Sequence, residues 1–217
     1  MPVRMTRVAG IEGRAARTML ISAIREDLCL SYANTLSWRG GETPAETLHD
    51  LADLLGWIER SAGVGVRAVQ EIKAWSRDHQ RAASTAFAEA IAMREVIFRI
   101  FSAIAVGEPV RGQDFAALRN AVAKAPRRNR LERSGGGFAW RIEQLRPSAP
   151  GILAPVLWSA GDLALNAGHR RIRRCANERC LWLFLDESKS GTRRWCDMAS
   201  CGNRAKARRH YSRIRQR

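Results

Sequence analysis

Four cysteines, Cys175, Cys180, Cys196 and Cys201, form two Cys-x4-Cys pairs with fifteen residues between them. Two short pairs flanking a hairpin-length insert suit tetrahedral thiolate coordination of one zinc ion, because each pair bends the backbone around one edge of the metal. Disulfides, an iron–sulfur cluster and idle thiols are the competing chemistries. Nothing in the sequence points to secretion, and cytosolic thiol pairs are usually reduced. Common iron–sulfur spacings are shorter and less symmetric, and two matched pairs argue against idle thiols. With four protein ligands no coordination position is open, so the ion is expected to be structural, not catalytic.

The residues between the pairs give the metal its setting. Leu181-Trp182-Leu183-Phe184-Leu185 and Thr192-Arg193-Arg194-Trp195 are expected to pair as strands, with Ser188-Lys189-Ser190-Gly191 as the turn. Asp197 reads as an N-cap, with a helix from Met198 onward. Cys201 then falls in the first helical turn, where the helix dipole favours a thiolate. Knuckle, hairpin and a helix carrying the last ligand make a treble-clef plan.

Charge follows the cysteines. Residues 169–217 hold 15 Lys+Arg and 4 Asp+Glu, net +11, out of +16 for all 217 residues. The 33 Arg against 4 Lys could reflect base composition, but base composition does not concentrate charge at one end. A basic segment of this kind implies a polyanionic partner, usually nucleic acid. Arg204, Arg208 and Arg215 share one helical face with Tyr211, and Lys206, Arg209 and Arg213 cluster on another. These residues, with Arg193 and Arg194, are the candidate phosphate contacts. Asn203 is a candidate base reader, since an amide pairs bidentately with adenine. Arg174, Arg179, Arg194 and Arg204 have a second reading, as counter-charges to the net −2 of a four-thiolate zinc.

Residues 1–168 read as a domain of helices. Helical spacing of apolar residues runs from Gly10 to about Trp38, including an extra helix over Arg14–Ile24. A second helix, capped by Thr43 or Thr47, carries Leu48 to Ile58 and ends near Gly63. A short helix covers Val66–Trp75. The longest amphipathic helix runs through Phe87 to Ala105 and stops at Gly107 and Pro109; another spans Phe115–Val122. Residues 124–137, rich in Arg and closed by Gly135-Gly136-Gly137, read as an exposed loop, followed by a short strand at Phe138–Ile142. Ile152–Leu165 reads as a buried helix that Pro155 bends or shortens. The fold class is mainly α: a helical N-terminal domain, 1–168, with at most a small β element, then a small treble-clef-like zinc finger, 169–217.

The chain resembles the CGNR zinc-finger family. The resemblance lies in Cys175-x4-Cys180, in Phe184-Leu185-Asp186, in Arg193-Arg194-Trp195-Cys196-Asp197-Met198-Ala199 and in Cys201-Gly202-Asn203-Arg204-Ala205-Lys206. Upstream, Leu28-Cys29-Leu30-Ser31-Tyr32-Ala33-Asn34-Thr35, Leu51-Ala52-Asp53-Leu54-Leu55-Gly56-Trp57 and Arg94-Glu95-Val96-Ile97-Phe98 resemble the ABATE domain that usually precedes this finger. The resemblance implies a bacterial stress-induced transcription regulator, whose finger binds DNA and whose N-terminal domain senses or binds something.

In the larger domain Asn34 and Thr35 read first as satisfied buried hydrogen-bonding groups. Their second reading is as polar anchors of an effector pocket walled by Trp38, Trp57 and Trp140. Asp50 and Asp53 read as a solvated helix face, and Cys29 as a small core residue. No phosphate loop, dinucleotide fingerprint or nucleophile elbow is present, so no enzyme is expected. No apolar run approaches a membrane span and no secretory signal is evident, which makes the cytoplasm the default. The expected partners are therefore DNA, with RNA or an acidic protein patch as alternatives, a small-molecule effector and a second copy of the chain. Folding of the finger should be coupled to metal, so a chelator should melt it and leave the larger domain folded.

Overall fold

The computed structural model describes residues 19–21, 24–134, 137–142 and 147–215. At Met19, Leu20, Ser134, Arg208, Arg209, His210, Ser212, Arg213 and Arg215 the backbone alone is described.

The fold is built on one long helix. In chain order the elements begin with β1 (Met19–Ile21), α1 (Leu28–Ala33), β2 (Leu36–Ser37), β3 (Ala45–Glu46) and α2 (Leu51–Ala62). There follow α3 (Val66–Asp78), α4 (Gln80–Val106), α5 (Gly112–Lys124), β4 (Arg130–Ser134) and β5 (Gly137–Ile142). The chain continues through α6 (Ala149–Ile152), α7 (Ala154–Leu165), β6 (Ile172–Arg174) and β7 (Leu183–Leu185), then a wide π-type turn over Met198–Gly202 and α8 (Asn203–Arg215). The 27-residue α4 is the spine, with α1, α2, α3, α5 and α6 packed on it. It also receives β6 and β7, so the core of the larger domain extends into the cysteine segment through Ile172 and Leu183.

Local chemistry explains most boundaries. Asp50 caps α2 by accepting the Asp53 amide at 2.8 Å, while the Asp53 carboxylate accepts the His49 amide at 2.9 Å. These two acids are exposed, as expected of a solvated face, and they also form a reciprocal cap; the cap is Asp50, not Thr43 or Thr47. Glycines in the left-handed conformation, Gly63 (φ 64°) and Gly107 (φ 76°), end α2 and α4. The apolar stretch expected as one helix over Ile152–Leu165 divides at Leu153, and Pro155 sits in the first turn of α7, where a missing N–H costs nothing.

Three expectations are corrected. The helical pattern from Gly10 to Trp38 is helical at Leu28–Ala33, whereas Met19–Ile21 is a strand pairing antiparallel with Trp140–Ile142. The rest of the extra helix expected over Arg14–Ile24 lies mostly outside the described residues. Short apolar runs fit either period, and here the open edge of β5 supplies the partner. The Arg-rich loop at 124–137 is also partly a strand: β4 pairs with β5 from Arg130↔Arg141 to Ser134↔Gly137, giving a three-stranded sheet in the order β1-β5-β4. Finally, Thr192–Trp195 does not pair with Leu181–Leu185. The partner of β7 is β6, with Ile172↔Leu185 and Arg174↔Leu183, so the first cysteine pair itself closes the hairpin.

Candidate metal centre and nucleic-acid interface

The β6–β7 hairpin turns through Cys175 and Cys180. The Cys175 amide donates to the Trp182 carbonyl at 2.8 Å, and the Cys180 amide to the Asn177 carbonyl at 2.7 Å. The second pair arrives from the other side, where the Ala176 amide bonds the Arg194 carbonyl at 2.9 Å. Asp197 caps the following turn, accepting the amides of Ala199 (3.3 Å) and Ser200 (2.8 Å), and Cys201 lies inside that turn. Bonds from Ser200 and Ala199 hold the Asp197 carboxyl below its ordinary range.

The four sulfurs lie within 4.8 Å of one another. Cys180 Sγ is 3.7 Å from Cys196 Sγ, which is 3.8 Å from Cys201 Sγ. A disulfide needs about 2.05 Å, whereas a tetrahedron with Zn–S of about 2.3 Å has edges of about 3.8 Å. The donor set and spacing therefore fit one zinc ion. Thiols this close oppose one another's ionisation: bonds from Cys180 and Cys196 hold Cys175 as a thiolate, down at about 2. Cys175 in turn pushes Cys180 up to about 12 and Cys196 well above the ordinary thiol range. A bound divalent cation stabilises all four as thiolates and ties the two pairs together.

Two supporting residues carry no signal in the cysteine pattern. Asn177 donates from Nδ2 to Cys201 Sγ at 3.4 Å, orienting that ligand as outer-shell groups do. Asp186 is buried. Its carboxylate accepts the Ser188 amide and hydroxyl (3.0 and 2.5 Å) and the Arg193 amide (3.0 Å), fixing the excursion between the pairs. The Ser188 bonds hold its carboxyl below the usual range.

One family model, described as "Putative stress-induced transcription regulator" and abbreviated ABATE, matches residues 26–166. The chain belongs to the ABATE family. A second model, the CGNR zinc finger, matches residues 171–214, which contain all four cysteines. No curated protein matches the chain. The ABATE segment precedes the finger, and the four thiolates are its single structural zinc site.

The ABATE and CGNR segments share an intimate junction. The Asn34 side chain, 149 residues from its partner, accepts the Leu183 amide at 3.0 Å and donates to the Leu183 carbonyl at 2.8 Å, pairing with β7 as a strand residue would. Thr35 Oγ1 donates to the Tyr32 carbonyl at 2.8 Å. Trp38 adopts φ 55°, uncommon for a bulky residue, and packs against the cysteine cluster. A methyl group at Gly40 would collide with the Glu178 carbonyl in the knuckle. Arg174 reaches across to Ser102 Oγ on α4 at 2.7 Å. Of the candidate effector residues, Asn34 and Trp38 thus meet at this junction, while Thr35 bonds to Tyr32 and Arg94 within the larger domain. Trp57 lies on α2 against Tyr32 (5.3 Å between ring centroids), and Trp140 lies on β5 opposite Ile21 and Leu131. Removing the Asn34 amide leaves the amide and carbonyl of Leu183 unpaired in a buried setting. Asn34→Ala should therefore cost about 1–3 kcal/mol, measured by denaturant unfolding of the zinc-loaded chain.

The candidate nucleic-acid residues divide by what they touch. Arg193 donates from Nε to the Trp195 carbonyl at 2.9 Å, bonds the Cys196 carbonyl and covers the Phe184 ring at 4.6 Å, so its guanidinium serves the finger itself. Arg194 lies 5.4 Å from the Trp195 ring centroid and Arg204 4.6 Å from that of Trp38. Asn203 is exposed and donates to the Ala199 carbonyl at 3.2 Å. Lys206 is exposed on α8. Arg208, Arg209, Arg213 and Arg215 are placed on α8 by the backbone, and their side chains lie outside the described residues.

Proposed function

We propose that the chain is a zinc-stabilised DNA-binding transcription regulator of the bacterial cytoplasm, a binding protein rather than an enzyme. The finger, 169–217, presents α8 to the duplex, and the larger part, 1–168, carries sensing and dimerisation. The observation that supports this most is α8, which follows directly on the turn carrying the ligand Cys201 and holds six basic residues between Asn203 and Arg215, with no acid in the sequence after Asp197. Such a helix is a fixed cationic surface, which is what phosphate contact needs. No helix among the described residues is long and apolar enough to cross a membrane. In this reading Lys206, Arg208, Arg209, Arg213 and Arg215 face phosphates and Asn203 faces a base. Arg204 contributes while held by Trp38, and Arg193 and Arg194 support the finger behind them.

A titration of zinc-loaded protein with duplex DNA at several salt concentrations tests this. About six phosphate contacts give a log–log salt slope of about −5 or steeper; a flat dependence overturns the reading. One observation favours a second reading, in which the zinc module docks an acidic protein patch: Trp182 is 38% exposed, while Phe184 beside it is buried. A competition between duplex DNA, RNA and an acidic protein in the same titration separates these partners.

A further inference from the structure

The larger domain carries a second cationic element that the finger does not include. Strands β4 and β5 form a ribbon whose outer part is two-stranded among the described residues. The third strand, β1, pairs with Trp140–Ile142, and among the described residues Glu132↔Ala139, Arg133↔Phe138 and Ser134↔Gly137 have no third strand beside them. Burial falls along one face of β5, from Ile142 at 1% exposed, through half-buried Trp140, to Phe138 at 65%. Leu131, opposite Trp140, is 57% exposed. The base of the ribbon is fixed: Arg128 bonds Asp162 at 2.6 Å, and the Trp158 indole donates to the Pro126 carbonyl at 3.2 Å.

Its charges are only partly neutralised among the described residues. Arg128 is taken by Asp162 and Arg141 by Glu132. Lys124, Arg127, Arg130 and Arg133 remain exposed, and no carboxylate among the described residues pairs with them. A two-stranded ribbon is narrow enough for the major groove of duplex DNA, exposed guanidiniums match phosphates, and exposed Phe and Leu side chains give apolar contact with sugars and base methyls. Self-association through an apolar sheet face would set these arginines against their own copies, which like-charge repulsion opposes.

We propose that the β4–β5 ribbon is a second nucleic-acid contact, with Arg127, Arg130 and Arg133 on phosphates and Leu131 and Phe138 against the groove. This rests on the DNA-binding reading above and extends the binding surface from the finger to the ABATE segment. Three further phosphate contacts at about 0.9 each add about 2.7 to the salt slope, which brings the full chain to about −8.

The test compares the full zinc-loaded chain with a variant carrying Arg127→Gln, Arg130→Gln and Arg133→Gln, all exposed positions, after checking that the two melt alike. The expected result is a slope about 2.7 shallower in the variant and weaker binding at every salt concentration. An independent readout on the unaltered chain is modification by an arginine-selective dicarbonyl, mapped by mass spectrometry: Arg127, Arg130 and Arg133 should be protected when duplex DNA is bound. A steep slope that the triple variant leaves unchanged, with those arginines unprotected, overturns the ribbon's role while the finger reading stands. A flat slope for the unaltered chain overturns both. Protection by an acidic protein and not by DNA also overturns the proposal.

Discussion

Stripping the metal from the full chain should unfold more than the finger. Metal-coupled folding of an independent finger predicts that a chelator melts residues 169–217 and leaves the larger domain intact. The fold reverses that expectation, because Ile172 and Leu183 lie on the two strands of the knuckle hairpin and are at the same time members of the larger domain's core. Structural zinc sites in small fingers supply free energies of about 10–16 kcal/mol, and without that the hairpin has little to hold it. If the hairpin opens, two buried aliphatic side chains lose their seats, at about 1.5–3 kcal/mol each. The two-point bond from Asn34 to Leu183 is lost with them. In a chain of this size each kcal/mol moves the midpoint by about 2–4 °C. The helical transition, followed by far-ultraviolet circular dichroism, should therefore drop by about 10 °C in excess chelator and recover on adding zinc. Cys201→Ser should show the lowered midpoint without chelator. A helical midpoint indifferent to metal would mean that the hairpin keeps its place by packing alone.

Arg94→Ala should be the most damaging single substitution in the larger domain. Arg94 is 2% exposed, the largest side chain so deeply buried among the described residues. Its guanidinium bonds both Glu46 oxygens at 2.7 Å, Glu95 at 2.9 Å and the Thr35 hydroxyl at 3.2 Å. Glu95 is shared with Arg39, at 2.5 and 3.1 Å, and Arg39 also covers the Phe98 ring at 4.0 Å. Breaking a buried pair from one side costs about 3–5 kcal/mol, because the remaining charges stay desolvated. Glu46 and Glu95 keep some contact with water, so about 3 kcal/mol is expected by denaturant unfolding.

The same network sets the acid limit. Burial by itself raises the Glu46 and Glu95 carboxyls, but bonds and charge from Arg94, and from Arg39 at Glu95, outweigh it and hold both below the ordinary range. Their contribution is complete above the unfolded carboxylate value of about 4.3 and is lost as pH falls through the lower folded values. Stability should thus fall with acid below about pH 4, and Glu46→Gln should flatten that fall. An unchanged acid profile in the Glu46→Gln chain would show that other carboxylates govern it.

The cysteine spacing made the metal centre legible, and Asp197 as cap followed from its place before a helix-compatible run. Both depend on residues close in sequence. The long helix α4 was legible for the same reason, since its apolar stripe repeats and Gly107 marks its end. What escaped depends on partners far along the chain. Met19–Ile21 becomes a strand because β5 offers it an edge more than a hundred residues later. Arg130–Ser134 has too few apolar residues to read as a strand and owes its shape to β5. Of the strand expected over Leu181–Leu185 only Leu183–Leu185 forms, and its neighbour is β6 and not Thr192–Trp195, since two candidate partners flank it and only packing on α4 decides between them. Asn34 was legible as a satisfied buried amide; that its satisfaction lies in the finger was not.

The close seat that Gly40 leaves for the Glu178 carbonyl carries a lesson for anyone hoping to move this finger onto another protein. A graft beginning after Leu165 would leave behind the loop from Trp38 to Gly41 and the amide of Asn34, which act as the missing wall of the transplanted piece. A faithful chimaera has to carry that wall with it, so the natural unit of exchange is the whole chain.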